Sequence, residues 1–207
     1  MKNVVLLLAL IFSVNLNAQT QYENGMNKAF ELWGAKKNKE AAQLFERISN
    51  AEKDNWLPSY YAATVLILDG FAIKDEAKLT THLNKAQELL DKAKSISKNN
   101  PEIIINQALL NTVYVAFDGQ KYGMTLSGKN VQLYTKALQL APNNPRVVLA
   151  KAQWDIGGAK FFGQSTAPFC AAIKKSIELF KNEKKKGKFH PFGGVERAQA
   201  ALKQCGK

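Results

Sequence analysis

Prolines recur along this chain at a nearly constant spacing. The four that matter are separated by 43, 44 and 46 residues: Pro58, Pro101, Pro145 and Pro191. Each is followed seven residues later by a small or short side chain: Val65, Ala108, Ala152 and Ala198. A repeat of this length is typical of paired helices stacked into an array, in which small residues let neighbouring helices approach closely. The spacing therefore predicts a helical-repeat fold.

The clearest joint between two repeats lies at residues 137–146. Pro142 cannot continue a helix interior, because it lacks a backbone N–H and its ring clashes one turn back. Asn143 and Asn144 suit turn and cap conformations, and Pro145 suits the first position of a new helix. The segment therefore predicts the end of one helix, a tight break and the start of the next.

Apolar residues fall at helical spacing through most of the chain, as Leu133, Ala137 and Leu140 illustrate. One-sided stripes of this kind predict helices that pack on neighbours and face water on the other side. The expected helices are 22–36, 38–52, 58–72, 80–97, 101–117, 125–141, 145–158, 167–183 and 192–205. The expected units are about 22–57, 58–100, 101–144 and 145–190, followed by a closing segment, 191–207. We therefore expect an all-α solenoid of about nine helices, whose C-terminal helix shields the last apolar surface.

The first 18 residues have the pattern of a secretory signal peptide. Lys2 precedes an apolar run, Val4–Val14, and Ala18 provides a small residue before a cleavage site at Gln19. A membrane anchor is the alternative, but the run of 11 residues is shorter than the ~20 that span a bilayer. We therefore expect 1–18 to be removed and 19–207 to form one periplasmic domain, with secretion as the second choice.

The chain is strongly basic, with a formal net charge of +12. Five lysines lie within Lys181–Lys188, and such a run can dock on an anionic surface. It can equally be a solvated helix end whose lysines complement the helix dipole. Because export is expected, acidic lipids or anionic envelope polymers are nearer partners than nucleic acid, which we do not expect to bind.

Candidate residues for chemistry are few. Cys170 and Cys205 could form a disulfide in an oxidising compartment, although two buried thiols would fit the sequence equally well. His82 and His190 have no metal-ligand spacing to each other or to the cysteines, and Gly157–Lys160 does not follow the phosphate-loop pattern. No nucleophile has a base near it in the sequence. We therefore expect no enzyme activity, no metal and no cofactor.

Two glycine-rich segments, 118–123 and 157–163, share the order Gly-x-Lys-aromatic. We expect both to be loops on one edge of the stack, where insertions in repeat proteins often provide the binding face. The alternative is that their aromatic rings plug the groove and the glycines only let the chain turn. The candidate binding residues in these segments are Lys121, Tyr122, Lys160, Phe161 and Phe162.

The repeat ends resemble tetratricopeptide (TPR) repeats. The resemblance rests on Ala137-x4-Pro142 and on the pattern Ala41-x3-Phe45-x2-Ile48, and it covers most of 22–183. The spacing is longer than the usual 34 residues of a TPR, and the Trp-x2-Leu-Gly pattern is absent. In this family the first helix of each pair lines the inner face, which implies that these residues lie near it: Tyr61, Val65, Asn106, Leu109, Lys151 and Trp154.

Together with the signal sequence, this pattern is similar to small exported TPR proteins of Gram-negative, Bacteroidetes-like envelopes. The resemblance implies a non-catalytic scaffold that binds a protein or peptide in the periplasm. One alternative is a small-molecule carrier that accompanies a solute-uptake system. Another is a structural protein that binds anionic envelope polymers. Neither the oligomeric state nor the partner is indicated by the sequence.

Overall fold

A computed structural model describes residues 19–206, and this part of the chain is all-helical, without strands. Residues 1–18, which hold the expected signal peptide, and residue 207 lie outside the described residues. The helices are 19–34 (α1), Asn38–Ala51 (α2), Trp56–Gly70 (α3), Glu76–Ile96 (α4), Pro101–Phe117 (α5), Gly119–Leu140 (α6), Pro145–Phe161 (α7), Cys170–Lys181 (α8) and Val195–Gln204 (α9). A short 3-10 helix, Ala167–Phe169, precedes α8. The prediction of nine helices with a C-terminal closing helix is confirmed for the described residues.

Asparagine caps start the first helix of three successive pairs. The side-chain oxygens of Asn55, Asn100 and Asn144 accept hydrogen bonds from backbone N–H groups two residues further on, at 3.0, 3.0 and 2.9 Å. Pro101 and Pro145 occupy the first helical position, where a missing N–H costs nothing. These caps fix where α3, α5 and α7 begin, and these three helices line the candidate site.

The other two prolines of the series differ from the expectation that each opens a helix. Pro58 is the third residue of α3, a first-turn position that tolerates proline. Pro191 lies four residues before α9, in a segment where Gly193 and Gly194 have φ of +78° and +114°. These left-handed conformations suit glycine, and they turn the chain into α9.

The two glycine-rich segments expected to be loops lie mostly in helices, so that prediction is wrong. The carboxylate of Asp118 accepts hydrogen bonds from the N–H groups of Gln120 and Lys121, at 3.0 and 2.9 Å. This cap lets the chain re-enter a helix at once, and α6 begins at Gly119. Helix α7 likewise continues to Phe161.

Two hydrophobic clusters hold the helices together. The larger lies among α1–α5, with Met26, Phe45, Ile67, Leu79, Leu83 and Leu90 among its most buried side chains. The smaller joins α7, α8 and α9 through Leu149, Ala152, Ile173, Ile177, Phe180 and Ala198. Helix α9 therefore covers the last pair, as a closing helix should.

Buried amides join α5 to α6. Asn111 donates to Asn130 Oδ1 at 2.9 Å, and Asn130 donates to the carbonyl oxygen of Ala108 at 3.0 Å. Asn130 is fully buried, so these bonds satisfy polar groups that would otherwise be costly inside the fold. The pairing fixes how the two helices lie against each other.

Residues 182–194, which we call the return segment, lead the chain from α8 back to its first helices. Phe189 is 8% exposed, and its ring packs against Tyr22 and Phe30 at centroid distances of 5.6 and 6.0 Å. Its carbonyl oxygen accepts a hydrogen bond of 2.7 Å from the hydroxyl of Tyr61. Lys188 pairs with Glu23 of α1. The lysine-rich run is therefore anchored at its C-terminal end.

A disulfide joins Cys170 and Cys205, with an S–S distance of 2.10 Å. The bond connects the first residue of α8 to the residue that follows α9. It therefore fixes the far end of the closing helix, while Gly193 and Gly194 set its near end. Among the described residues, no helix is both long and apolar enough to cross a membrane.

Candidate functional site

A groove with a cavity of about 230 Å³ runs along α3, α5 and α7. It lies between the two hydrophobic clusters, and α6, α8 and α9 complete its walls. Its larger apolar and aromatic lining residues are Tyr60, Leu68, Ile105, Leu109, Tyr134, Leu149, Trp154 and Phe180. A concave, mostly apolar surface with a few polar groups is the usual form of a small-molecule site.

Helical periodicity places the lining residues on one face of each helix. On α3, Tyr60, Thr64 and Leu68 follow one another at intervals of four residues. Side chains at this spacing lie above one another on one face of a helix. Asn106 of α5 donates to Thr64 Oγ1 at 2.5 Å, which joins the two helices across the groove floor.

The end of the groove near the starts of α5 and α7 carries a charge cluster. Arg146 Nε donates to the Glu102 carboxylate at 2.9 and 3.1 Å, and Arg146 Nη1 lies 2.6 Å from Glu183 Oε1. Asn144 also donates to Glu102, at 2.7 Å. Burial works to lower the pKa of Arg146, but the two carboxylates outweigh it and raise that pKa. The cluster holds two carboxylates against one guanidinium.

Glu183 also fixes the segment in front of α9. Its second carboxylate oxygen, Oε2, accepts a hydrogen bond of 2.9 Å from the N–H of Gly193. The same carboxylate that pairs with Arg146 at this end of the groove therefore holds the turn from which α9 starts.

Aromatic rings form one wall. Tyr134 of α6 and Trp154 of α7 lie 6.2 Å apart between ring centroids. Burial raises the pKa of Tyr134 to about 12. Burial also raises the pKa of Tyr60, which lines the groove from α3, well above its usual value. Both phenols are therefore neutral near pH 7.

Arg197 of α9 lies at the mouth of the groove. Its Nη2 donates to Gln153 Oε1 at 2.5 Å, and the described residues place no carboxylate within 4 Å of its guanidinium. The side chain is exposed overall, but its surroundings partly desolvate the guanidinium and lower the pKa of Arg197. This decrease starts from an ordinary value far above neutrality, so Arg197 is cationic at pH 7.

The structure brings only part of the expected inner face to the groove. Asn106, Leu109 and Trp154 line it. Tyr61 and Val65 are buried in the larger hydrophobic cluster instead. Lys151 pairs with Asp155 one turn along α7, at 2.5 Å. The phase of α3 therefore differs by one residue from the one that the TPR resemblance implies, and Tyr60 and Thr64 face the groove.

The five candidate binding residues of the glycine-rich segments lie away from the groove lining. Lys121 and Tyr122 both bond to Glu76, at the start of α4. The ring of Phe161 lies against Gly119, where an added Cβ would come within 3.1 Å of it, so the two segments are neighbours. Phe161 and Phe162 are 67% and 73% exposed.

The sequence analysis missed most of the groove lining, and Tyr60, Tyr134 and Arg197 are the missed residues that matter most for binding. The tyrosines occur within helical stripes and could not be separated from ordinary core residues. Arg197 lies on the polar face of the closing helix, where a cation is usually only solvated. The sequence did contain one signal that could have drawn attention to Arg197: arginine is rare in this chain, and only three of its 29 basic residues are arginines.

Metal and histidine chemistry is not indicated at the groove. His82 bonds to the carbonyl oxygen of Leu66, and His190 packs near Trp56, so neither lines it. Within residues 19–206, no group of three or more His, Cys, Asp or Glu side chains could hold a metal ion.

The chain matches no protein-family model and no curated protein. Among solved structures, it is similar to the HusA haemophore from Porphyromonas gingivalis, with a TM-score of 0.75 and 23% sequence identity. The similarity covers 89% of this chain and 92% of the haemophore chain. At this identity it shows a shared all-helical fold, whereas the TPR pattern stays a prediction from the sequence.

Proposed function

We propose that this protein is an exported, non-catalytic carrier that binds a small, mostly apolar ligand in the groove between α3, α5 and α7. The observation that carries the proposal is the groove itself, an aromatic and apolar cavity built by three consecutive first helices. This proposal favours the carrier alternative over the protein scaffold that the TPR resemblance implies.

Haem is the first ligand to test, because the structural neighbour is a haemophore of the same fold. In the part of the chain that the structure describes, no histidine, methionine or cysteine, which are common ligands of haem iron, lines the groove. Its two tyrosines are protonated near pH 7 before any ligand binds, because burial raises their pKa values, so iron would have to displace a phenol proton to bind either one. The groove would therefore hold the porphyrin ring by contact with its faces and edges.

The size of the cavity also limits the binding mode. Its volume of about 230 Å³ lies just below the roughly 300–1,000 Å³ that is usual for sites enclosing a drug-sized ligand. A porphyrin would therefore be held along one edge, with the rest of the ring on the open side. Such a mode suits a carrier that must hand its ligand on.

Export is supported by the disulfide between Cys170 and Cys205, since such bonds persist in oxidising compartments. The absence of catalysis is supported by the charge cluster. Glu102 is the acidic residue of the groove lining, and its carboxylate already accepts hydrogen bonds from Arg146 and Asn144.

The experiment is a haem titration of residues 19–207, followed by absorbance. Leu109→Arg places a bulky charge in the groove, and Val131→Arg is the matched control at a site that is 47% exposed. The proposal predicts 1:1 binding by the wild type and the control and at least tenfold weaker binding by Leu109→Arg. Equal haem binding by both variants, each folded by circular dichroism, would place the site elsewhere.

Protein binding is a second candidate function, favoured by the exposed rings of Phe161 and Phe162. Apolar side chains clustered on a surface often mark an interaction site. With Lys121, Tyr122 and Lys160 they would form the contact surface. Crosslinking in the native envelope should then capture one enriched protein, and Phe161→Ala with Phe162→Ala should abolish the capture.

A further inference from the structure

The basic residues are distributed unevenly around the groove. The chain has 29 lysines and arginines, of which three are arginines: Arg47, Arg146 and Arg197. Two of these arginines line the groove, and no lysine within residues 19–206 lines it. Arginine is the residue best suited to bind a carboxylate, because its planar guanidinium can donate two parallel hydrogen bonds.

The two groove arginines differ in the charges that surround them. Arg146 lies between the carboxylates of Glu102 and Glu183, so its end of the groove carries an excess negative charge. Both carboxylates are largely shielded from water, which leaves their charges poorly screened. A ligand carboxylate would be repelled at that end.

Among the residues that the structure describes, Arg197 forms no ion pair, and its side-chain hydrogen bond goes to the neutral Gln153. The titratable groups that influence it are Tyr134 and Tyr60, which are neutral near pH 7. A guanidinium has five N–H donors, and Gln153 is the side chain that accepts one of them. An incoming carboxylate would therefore find free donors in a partly desolvated site, where charge-assisted hydrogen bonds are strong.

Arg197 is also held in place before any ligand arrives. The disulfide fixes the far end of α9, and Glu183 holds Gly193 in front of its near end. Positioning a binding group in advance lowers the entropic cost of association.

We propose that the ligand is an amphipathic carboxylic acid that binds in one orientation. Its carboxylate pairs with Arg197 at the mouth, and its apolar body lies against Tyr134, Trp154 and Leu109. This assignment rests on the proposed carrier function and deepens it, since it names the group that the site recognises.

The test compares protoporphyrin IX with its dimethyl ester, which has the same ring without free carboxylates. Both are titrated by fluorescence into residues 19–207 as wild type, Arg197→Gln and the control Arg47→Gln, an exposed arginine of α2. A hydrogen bond between charged groups corresponds to about a tenfold to hundredfold change in affinity. We expect the wild type and the control to bind the acid at least tenfold more tightly than the ester. Arg197→Gln should lose that preference and bind the ester within twofold of the wild type.

Other outcomes overturn the proposal in distinguishable ways. Equal affinity of the wild type for acid and ester would refute carboxylate recognition while leaving the carrier function intact. Equal weakening of both ligands by Arg197→Gln would show that Arg197 supports the shape of the groove. Binding of neither ligand by the wild type would refute the assignment for porphyrins together with the carrier function. A further variant, Arg197→Lys, keeps the charge and should retain part of the preference.

Discussion

Buried amides between α5 and α6 show how single residues fix the shape of this fold. Asn130 bonds to Asn111 and to the backbone of Ala108 without access to water. An apolar residue of similar size could fill the space, but it would leave the partner groups unsatisfied. The amide pair therefore specifies one alignment of the two helices.

We predict that Asn130→Ala lowers the free energy of unfolding by about 1–3 kcal/mol, because Asn111 would lose its buried partner. Urea denaturation followed by circular dichroism measures the change. Asn24→Ala, at an exposed position of α1, serves as the control and should change stability by less than about 0.5 kcal/mol. A loss of the same size in both variants would contradict the role given to Asn130.

The buried phenol of Tyr134 makes the free energy of unfolding depend on pH in the alkaline range. Its pKa is raised to about 12 in the folded state, against ~10 in the unfolded chain. The folded state therefore holds the phenol proton more tightly, and this contribution to stability is complete below pH 10. As pH rises from 10 to 12 it is lost, by on the order of 2 kcal/mol.

The measurement compares the unfolding free energies of the wild type and Tyr134→Phe at pH 9 and pH 11.5. Other groups titrate in this range in both proteins, so the difference between the two slopes isolates Tyr134. The wild type should lose more stability than the variant. Parallel losses would show that the Tyr134 phenol titrates normally.

At the scale of elements, the return segment packs the C-terminal part of the chain against α1. Phe189 fills an aromatic cluster with Tyr22 and Phe30 of α1. The segment contains a second phenylalanine, Phe192, which is 53% exposed. The two residues therefore form a matched pair within one element.

We predict that Phe189→Ala destabilises the protein by about 3 kcal/mol, because it leaves a cavity in the cluster. Phe192→Ala should cost less than about 1 kcal/mol. Thermal unfolding of both variants tests this difference. Similar unfolding temperatures for the two variants would mean that the return segment does not pack on α1 as described.

The disulfide gives α9 a second anchor. Replacing both Cys170 and Cys205 by serine should lower the free energy of unfolding by about 2–4 kcal/mol. If α9 carries the carboxylate site, the variant should also bind protoporphyrin IX more weakly. A reducing agent should reproduce both effects in the wild type and change nothing in the variant. An unchanged unfolding curve of the reduced wild type would contradict the prediction.

The sequence predicted these elements better than it predicted the site. Asn-Pro pairs at the starts of α5 and α7 have local physical meaning as caps, so helix pairs could be recognised. Glycine favours loops, but the hydrogen bonds from the backbone to the Asp118 cap stabilise a helix that begins at Gly119. The segment that we expected to be a loop is therefore helical. The position of Arg197 depends on where the return segment leads the chain, and local sequence does not contain that information.

At the scale of the whole molecule, lysines and arginines have different positions relative to the groove, and we assign them different roles. The lysines that the structure describes lie outside the groove lining, and lysines give the chain most of its formal charge of +12. A field of this sign speeds the approach of an anionic ligand, an effect that salt weakens. Inside the groove, recognition would then depend on Arg197 and the aromatic wall.

The central claim, that the groove holds the ligand, has a direct test in the tryptophan side chains. The chain contains three tryptophans, and Trp154 is the one that lines the groove. Trp33 packs in the larger hydrophobic cluster, and Trp56 lies beside Tyr60 and His190. The three indole N–H resonances in a proton–nitrogen spectrum therefore report on different parts of the fold.

We expect iron-free protoporphyrin IX, added to the nitrogen-labelled protein, to shift the Trp154 resonance most and to saturate at one equivalent. Trp154→Phe assigns that resonance by removing it from the spectrum. An unmoved Trp154 signal, or a larger shift at Trp33, would contradict the claim that this groove is the ligand site.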